Sequence, residues 1–169
     1  MARVAALIEN LFEDSEFHQP AEAFRQAGHQ LTVVGLEVGK VVKGKKEGTT
    51  VKVEKAVKDV RVEDFDALLI PGGYAPDLLR RDDVAVAFAR EFVEAGKPTF
   101  IICHSAQLLV TARVLKGRRA TGHKAVLVDI ENAGAEFVDA EVVVDGNLVS
   151  SRTPADMPAF IRECLKLLG

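Results

Sequence analysis

Tryptophan is absent from this 169-residue chain and tyrosine occurs once, so it offers almost nothing of the two side chains best suited to stacking on nucleic-acid bases. Surplus positive charge is also missing. Lys and Arg number 22 against 25 Asp and Glu, a net charge of −3 with both signs interspersed, which gives no basic footprint for nucleic acid. Long apolar runs are lacking too: Val4 to Ile8 ends at Glu9, too short for a membrane span or a signal-peptide core. Cysteine occurs only twice, which makes no disulfide framework, and a chain of this length folds without such staples. These absences point to an intracellular, cytoplasmic protein of one domain, residues 1–169. Its partner is expected to be a small molecule or a protein rather than nucleic acid or a membrane. No repeat or low-complexity tract interrupts it.

What remains is an alternation of strand and helix patterns. Arg3 to Ile8, Leu31 to Val34, Ala67 to Ile70 and Thr99 to Ile102 are short apolar runs suited to strands buried on both faces. After the loop Glu9 to Glu16, Pro20 is expected in the first turn of a helix lined by Ala23, Phe24 and Ala27 and stopped by Gly28. Val84, Ala85, Phe88, Phe92 and Ala95 give the stripe of the next, closed by Gly96 and Pro98. A helix is expected from Val126 to Ala133, and a last one through Leu168 with Asp156 as its cap. Val142 to Asp145 and Leu148 to Ser150 face each other across Asp145-Gly146-Asn147, a hairpin signal. Between Val41 and Val60 the alternation of Val51 and Val53 with Lys52 and Glu54 predicts a second hairpin, a small appendage whose Lys43, Lys45 and Lys46 form a solvated cationic turn. The fold class is therefore α/β, with a mainly parallel sheet between helical layers.

The chemistry concentrates at Lys97 to Leu109. A buried strand ends in Cys103, and Leu108, Leu109 and Ala112 follow at helical spacing, so the thiol stands at a strand-to-helix turn. Unpaired N–H groups at the start of a helix favour negative charge, and the thiolate is the reactive form. Small residues, Ser105 and Ala106, follow as such a turn requires. Cys164 has the opposite character: its spacing to Ile161, Leu165 and Leu168 makes it a core residue. In a parallel sheet ligands bind beyond the carboxyl ends of the strands, where Glu9 to Glu16, Pro71 to Asp77 and Cys103 to Ser105 converge. Gly72 and Gly73 there are candidates for an oxyanion cradle, since glycines let backbone N–H groups approach a ligand closely. Adjacent Cys103 and His104 lack the spacing of a metal site, and neither metal nor cofactor is expected.

FEDSE at Phe12 to Glu16, DALLIPGGYAPD at Asp66 to Asp77, ICHSAQLL at Ile102 to Leu109 and DAEVVVDGNLVSSRTPAD at Asp139 to Asp156 together make the chain resemble the PfpI family of the ThiJ/PfpI superfamily. The resemblance covers nearly the whole sequence. It implies a flavodoxin-like three-layer sandwich related to class I glutamine amidotransferases. It further implies Cys103 as nucleophile, His104 as its base, Glu16 as the carboxyl beside the sulfur and Gly73 as a backbone oxyanion donor, with Glu13 in the same motif. Asp77 matches an acid that can complete the triad from an adjoining subunit, which implies a homo-oligomer. Activities of the superfamily include intracellular peptidase, glyoxalase and protein deglycase, often in stress responses. The chain departs from the family pattern in having His123 where tyrosine is frequent and Asp77 where glutamate is frequent. His123 is thereby a candidate second base, and Asp77 has one methylene less reach.

On this reading Cys103 attacks a carbonyl, giving a hemithioacetal with an aldehyde such as methylglyoxal or an acyl-enzyme with a peptide, and the glycine turn and Ser105 contact the substrate. Glu16 is expected to be neutral, because a charged carboxylate beside the sulfur would oppose the thiolate. Adjacent residues on a helix do not face each other, so only a sharp turn at Cys103 brings His104 to the sulfur. The alternative is a stress sensor in which oxidation of Cys103 is the function and catalysis is incidental.

Overall fold

The structure, a computed structural model, describes residues 1–169. The first half forms β1 (Arg3–Leu7), α1 (Asp14–Gln26), β2 (Gln30–Gly35), β3 (Val41–Lys43), β4 (Thr50–Lys52), β5 (Lys55–Ala56), β6 (Ala67–Ile70), α2 (Ala75–Leu79) and α3 (Asp83–Glu94). The second adds β7 (Thr99–Ile102), α4 (Ala106–Ala112), β8 (Arg119–Ala120), α5 (Leu127–Asn132), β9 (Glu136–Phe137), β10 (Val143–Asp145), β11 (Leu148–Ser151) and α6 (Met157–Leu168).

Seven strands make one sheet in the order β10-β11-β7-β6-β1-β2-β5, and every pairing is parallel except that of β10 with β11. The apolar runs occupy its middle because they can be covered on both sides. Leu68, Ile70 and Ile101 face a core shared with α3, α4 and α5. Their neighbours Leu69, Phe100 and Ile102 face the opposite core, filled by Phe17, Phe24, Met157, Phe160 and Cys164 from α1 and α6. The result is the flavodoxin-like three-layer sandwich. No helix is long and apolar enough to cross a membrane.

Three expectations change. Helix α1 starts at Asp14, so Glu16 stands on its first turn rather than in a loop, and Pro20 lies inside the helix. Its buried face is Phe17, Pro20, Ala21 and Phe24, while Ala27 is exposed. The appended hairpin is only β3 and β4; Lys55–Ala56 joins the main sheet beside β2. Asp156 precedes α6 but caps nothing: both its oxygens accept from the Arg152 guanidinium. Bidentate pairing with a guanidinium outcompetes a single backbone N–H.

Phe100 is fully buried against Phe24, their ring centroids 5.9 Å apart, at the point where α1 rests on the strand leading to the cysteine. Phe100→Ala is therefore expected to cost about 3–5 kcal/mol in a denaturant titration, against less than about 0.5 kcal/mol for Val144→Ala on the exposed face of β10.

Candidate active site

Beyond the carboxyl end of β7 the backbone reverses at Cys103, whose φ of 63° is left-handed. Few non-glycine residues adopt this conformation, and it costs roughly 1–2 kcal/mol. Three contacts hold it. Ser105 Oγ donates to the Ile102 carbonyl at 2.8 Å and accepts from the Ile102 N–H at 2.7 Å. The Cys103 carbonyl accepts from the His123 N–H at 3.0 Å. Ser105 is thus fully buried with its hydroxyl spent on the turn, and a contact with substrate through that hydroxyl is ruled out. The residues after the cysteine form a single 3-10 turn before α4 begins at Ala106, so the regular helix starts later than expected.

The reversal solves the problem of adjacent residues. Cys103 Sγ and His104 Nδ1 come within 3.1 Å. Burial, followed by the charges of His123 and Lys45, lowers the His104 pKa, which keeps the ring neutral and able to accept the thiol proton. Its other neighbour is His123: the two rings stack at 4.5 Å with 24° between planes. His123 Nδ1 accepts from the Ala125 N–H at 3.0 Å, which leaves Nε2 as the ring's donor. His123 therefore packs on His104.

Glu16 reaches the sulfur from the other side. Its side chain is fully buried, Oε1 accepts from the Gly72 N–H at 2.8 Å, and Oε2 has no hydrogen-bond partner. The carboxyl and the Cys103 thiol lie close enough that each shifts the other's pKa. Burial, and after it the charge of Glu13, pushes Glu16 up to about 8. At neutral pH it retains its proton, and a protonated Oε2 is a donor that no group in the chain has taken.

The sulfur itself departs from expectation. Burial, and then repulsion from a charged Glu16, pushes Cys103 up to about 12, although the N–H groups of Gly73 and His104 oppose the shift. The thiol is 5% exposed. A free-standing thiolate at neutral pH is therefore corrected: burial outweighs two backbone donors when regular helix begins only three residues later. Glu16 and Cys103 titrate as a pair, and the thiolate is accessible only while Glu16 keeps its proton. Cys164, fully buried among apolar side chains, is pushed well up by that burial and, after it, by the charge of Glu163.

Glycine is required at 73, where φ is 81° and an added Cβ would stand 2.5 Å from the Glu13 nitrogen and 2.6 Å from the Leu11 carbonyl. That close approach is a short antiparallel bridge between Phe12 and Gly73. Glu13 is buried and binds two ammonium groups, Lys45 at 3.1 Å and Lys46 at 3.3 Å. Its carboxylate is thereby occupied and not free for substrate. Lys45 is the residue that reasoning from sequence missed. Expected on a solvated turn, it lies 23% exposed over the site, its Nζ 5.0 Å from the Tyr74 ring centroid. Asp14 fastens the same turn by accepting from the backbone of Lys46 and Thr49. The signal was present as a row of acids, Glu9, Glu13, Asp14 and Glu16, matched by a row of lysines 30 residues later. Asp77 is exposed on the first turn of α2, and no hydrogen bond or ion pair joins it to His104 within the chain. Gly72, Gly73, Glu16, Cys103, His104 and His123 are thus brought together, while Ser105, Glu13 and Asp77 stand aside.

In the folded chain Glu16 holds its proton up to about pH 8, whereas its ordinary value is 4.5. The folded state therefore binds more protons between these limits, and stability falls as pH rises through them. Glu16→Gln, which keeps an acceptor for Gly72 and cannot ionise, should stabilise the fold by roughly 2–3 kcal/mol near pH 7 and flatten its pH dependence between 5 and 8. Denaturant midpoints across that range would show it; an unchanged slope would mean that Glu16 is not the group titrating.

Residues 2–167 match the model of the DJ-1/PfpI family. The chain is 53% identical over 168 residues to protein/nucleic acid deglycase 2 of Escherichia coli, a match covering 99% of this chain and 98% of that one. It is 54% identical over 167 residues to general stress protein 18 of Bacillus subtilis, covering 98% and 97% respectively. Its structure is similar, with TM-score 0.96 and 38% identity, to a two-domain protein of Anabaena variabilis containing DJ-1/ThiJ/PfpI-like and ferritin-like domains; the match covers 98% of this chain and 48% of that one.

Proposed function

The chain belongs to the DJ-1/PfpI family, and on that footing we propose that it is a cysteine-dependent hydrolase of carbonyl compounds, acting on small aldehydes or glycation adducts in preference to unmodified peptides. The observation that carries this reading is the placement of Cys103 Sγ 3.1 Å from an acceptor, His104 Nδ1, in a site that also buries the unpartnered Oε2 of Glu16. With methylglyoxal the thiol adds to the aldehyde carbon, its proton passes to His104, and the oxygen is protonated to give a hemithioacetal. Moving the carbon-bound proton to the neighbouring carbonyl carbon, and the hydroxyl proton to that carbon's oxygen, leaves a thioester, and water then releases lactate and restores the thiol. The overall change is addition of one water, so no oxidant or cofactor is consumed. A peptide would form an acyl-enzyme with the same groups.

Enclosure favours the small substrate. The thiol is nearly covered, and the β3–β4 turn with Lys45 and Tyr74 rises beside it, so an extended peptide has no open groove to the sulfur. A redox sensor in which catalysis is incidental has less support, since peroxide selects accessible thiolates of low pKa and Cys103 is buried and pushed up. A cytoplasmic location accords with two unpaired thiols. Assembly is part of the proposal: Asp77, exposed and unpaired beside Tyr74, reaches His104 of a second copy of the chain in a dimer or larger homo-oligomer.

Lactate formation from methylglyoxal should fall by about 100-fold or more in Cys103→Ala, with His104→Ala lowering kcat more than it raises KM. Cleavage of a quenched peptide should be slow under the same conditions. Brisk peptide cleavage without lactate reverses the substrate preference, and activity surviving in Cys103→Ala removes the mechanism. For Asp77→Ala, an unchanged rate, or a wild-type protein that is active as a monomer by light scattering, removes the subunit contact.

A further inference from the structure

The stacked pair His104–His123 has a second side. His123 also lines a cleft of about 480 Å³ whose wall includes Lys124, Leu127, Phe137, Asp139 and Arg152. None of these five has a part in the chemistry at Cys103. His123 therefore lies between His104, which contacts the sulfur, and a cavity large enough for several more heavy atoms.

Hydrogen-bonding capacity in the cleft is unbalanced in one direction. Arg152 uses Nε and one N–H of NH2 on Asp156, at 2.9 and 3.0 Å, and one N–H of NH1 on Asp139 at 3.0 Å. A guanidinium has five N–H groups, so two remain. Lys124 adds an ammonium with no ion-pair partner within 4.0 Å, and His123 adds its Nε2–H, because Nδ1 is already an acceptor. The only carboxylate lining the cleft, Asp139, gives Oδ1 to Arg152 and keeps Oδ2 as an acceptor, and Thr153 brings a hydroxyl that can donate or accept. Donors thus outnumber acceptors, and Leu127 and Phe137 supply the apolar wall between them. A ligand that matches has an apolar body ending in a carboxylate.

Resting on the carbonyl-hydrolase reading above, we propose that this cleft is a specificity subsite. It receives the non-reacting part of the substrate, so that the preferred carbonyl compound carries an apolar body with a terminal carboxylate held by Lys124 and Arg152. His123 orients the chain of the substrate as it passes from the cleft to the sulfur. Methylglyoxal, which has neither part, uses the sulfur without the cleft.

The test uses 4-acetylbenzoate, an aryl ketone with a terminal carboxylate, beside acetophenone and acetate, titrated calorimetrically into the full-length protein. 4-Acetylbenzoate should bind at least about tenfold more tightly than either fragment and inhibit methylglyoxal turnover competitively. Lys124→Ala, at an exposed position that cannot upset the fold, should weaken 4-acetylbenzoate about tenfold and leave acetophenone unchanged. Leu127→Trp should fill the cleft and weaken both aryl ligands while the kcat/KM for methylglyoxal stays the same. Absence of 4-acetylbenzoate binding, or binding that neither substitution alters, overturns the subsite. Should methylglyoxal give no lactate, the hydrolase reading fails on its own, and the binding titrations still decide the cleft.

Discussion

Everything in the site depends on one backbone torsion, the left-handed turn at Cys103. With ordinary backbone, residues 103 and 104 would point to different faces and the sulfur would meet neither its acceptor nor its donor. The turn costs roughly 1–2 kcal/mol, which two hydrogen bonds from Ser105 and one from His123 offset. The sheet contributes rigidity. Every residue of β6 and β7 is buried, so the two loops that carry Gly72, Gly73 and Cys103 leave from fixed points. On the proposed reading the strained thiol on its rigid platform is preorganised, because little has to move when it reacts.

Charge is distributed around the sulfur to keep the enclosure neutral. Two carboxyls of α1 and the loop before it lie within the same few ångströms and have opposite fates. Glu13 is paired with two lysines, and Glu16, walled off by Gly72 and the sulfur, retains a proton. Environment alone separates them. His104 is held neutral by burial and by its neighbours His123 and Lys45. A thiol between a neutral acid and a neutral base can become a thiolate and return without charge leaving the cavity.

Much of this was legible beforehand. The apolar runs Ala67 to Ile70 and Thr99 to Ile102 are strands with those bounds, since apolar length and flanking glycine and proline state both their burial and their ends. The motif residues Glu16, Gly72, Gly73, Cys103 and His104 do meet. What sequence could not convey was how strongly burial acts: the cysteine's place after a strand suggested a helix dipole, yet the regular helix starts three residues on and desolvation prevails. Lys45 was invisible for a related reason. A lysine on a glycine-rich turn is ordinarily solvated, and only the fastening of that turn by Asp14 and Glu13 draws it inward. Likewise the small size of Ser105 was read correctly, but not the destination of its hydroxyl.

The proton on Glu16 is the point on which donor, thiol and stability all turn. Infrared difference spectroscopy with carboxyl-labelled glutamate measures it directly, because a buried protonated carboxyl absorbs apart from carboxylates. One protonated band should persist at neutral pH, disappear with a midpoint of about 8, and be missing from Glu16→Gln at every pH. A wild-type protein in which every glutamate is already ionised at pH 6 would contradict the account.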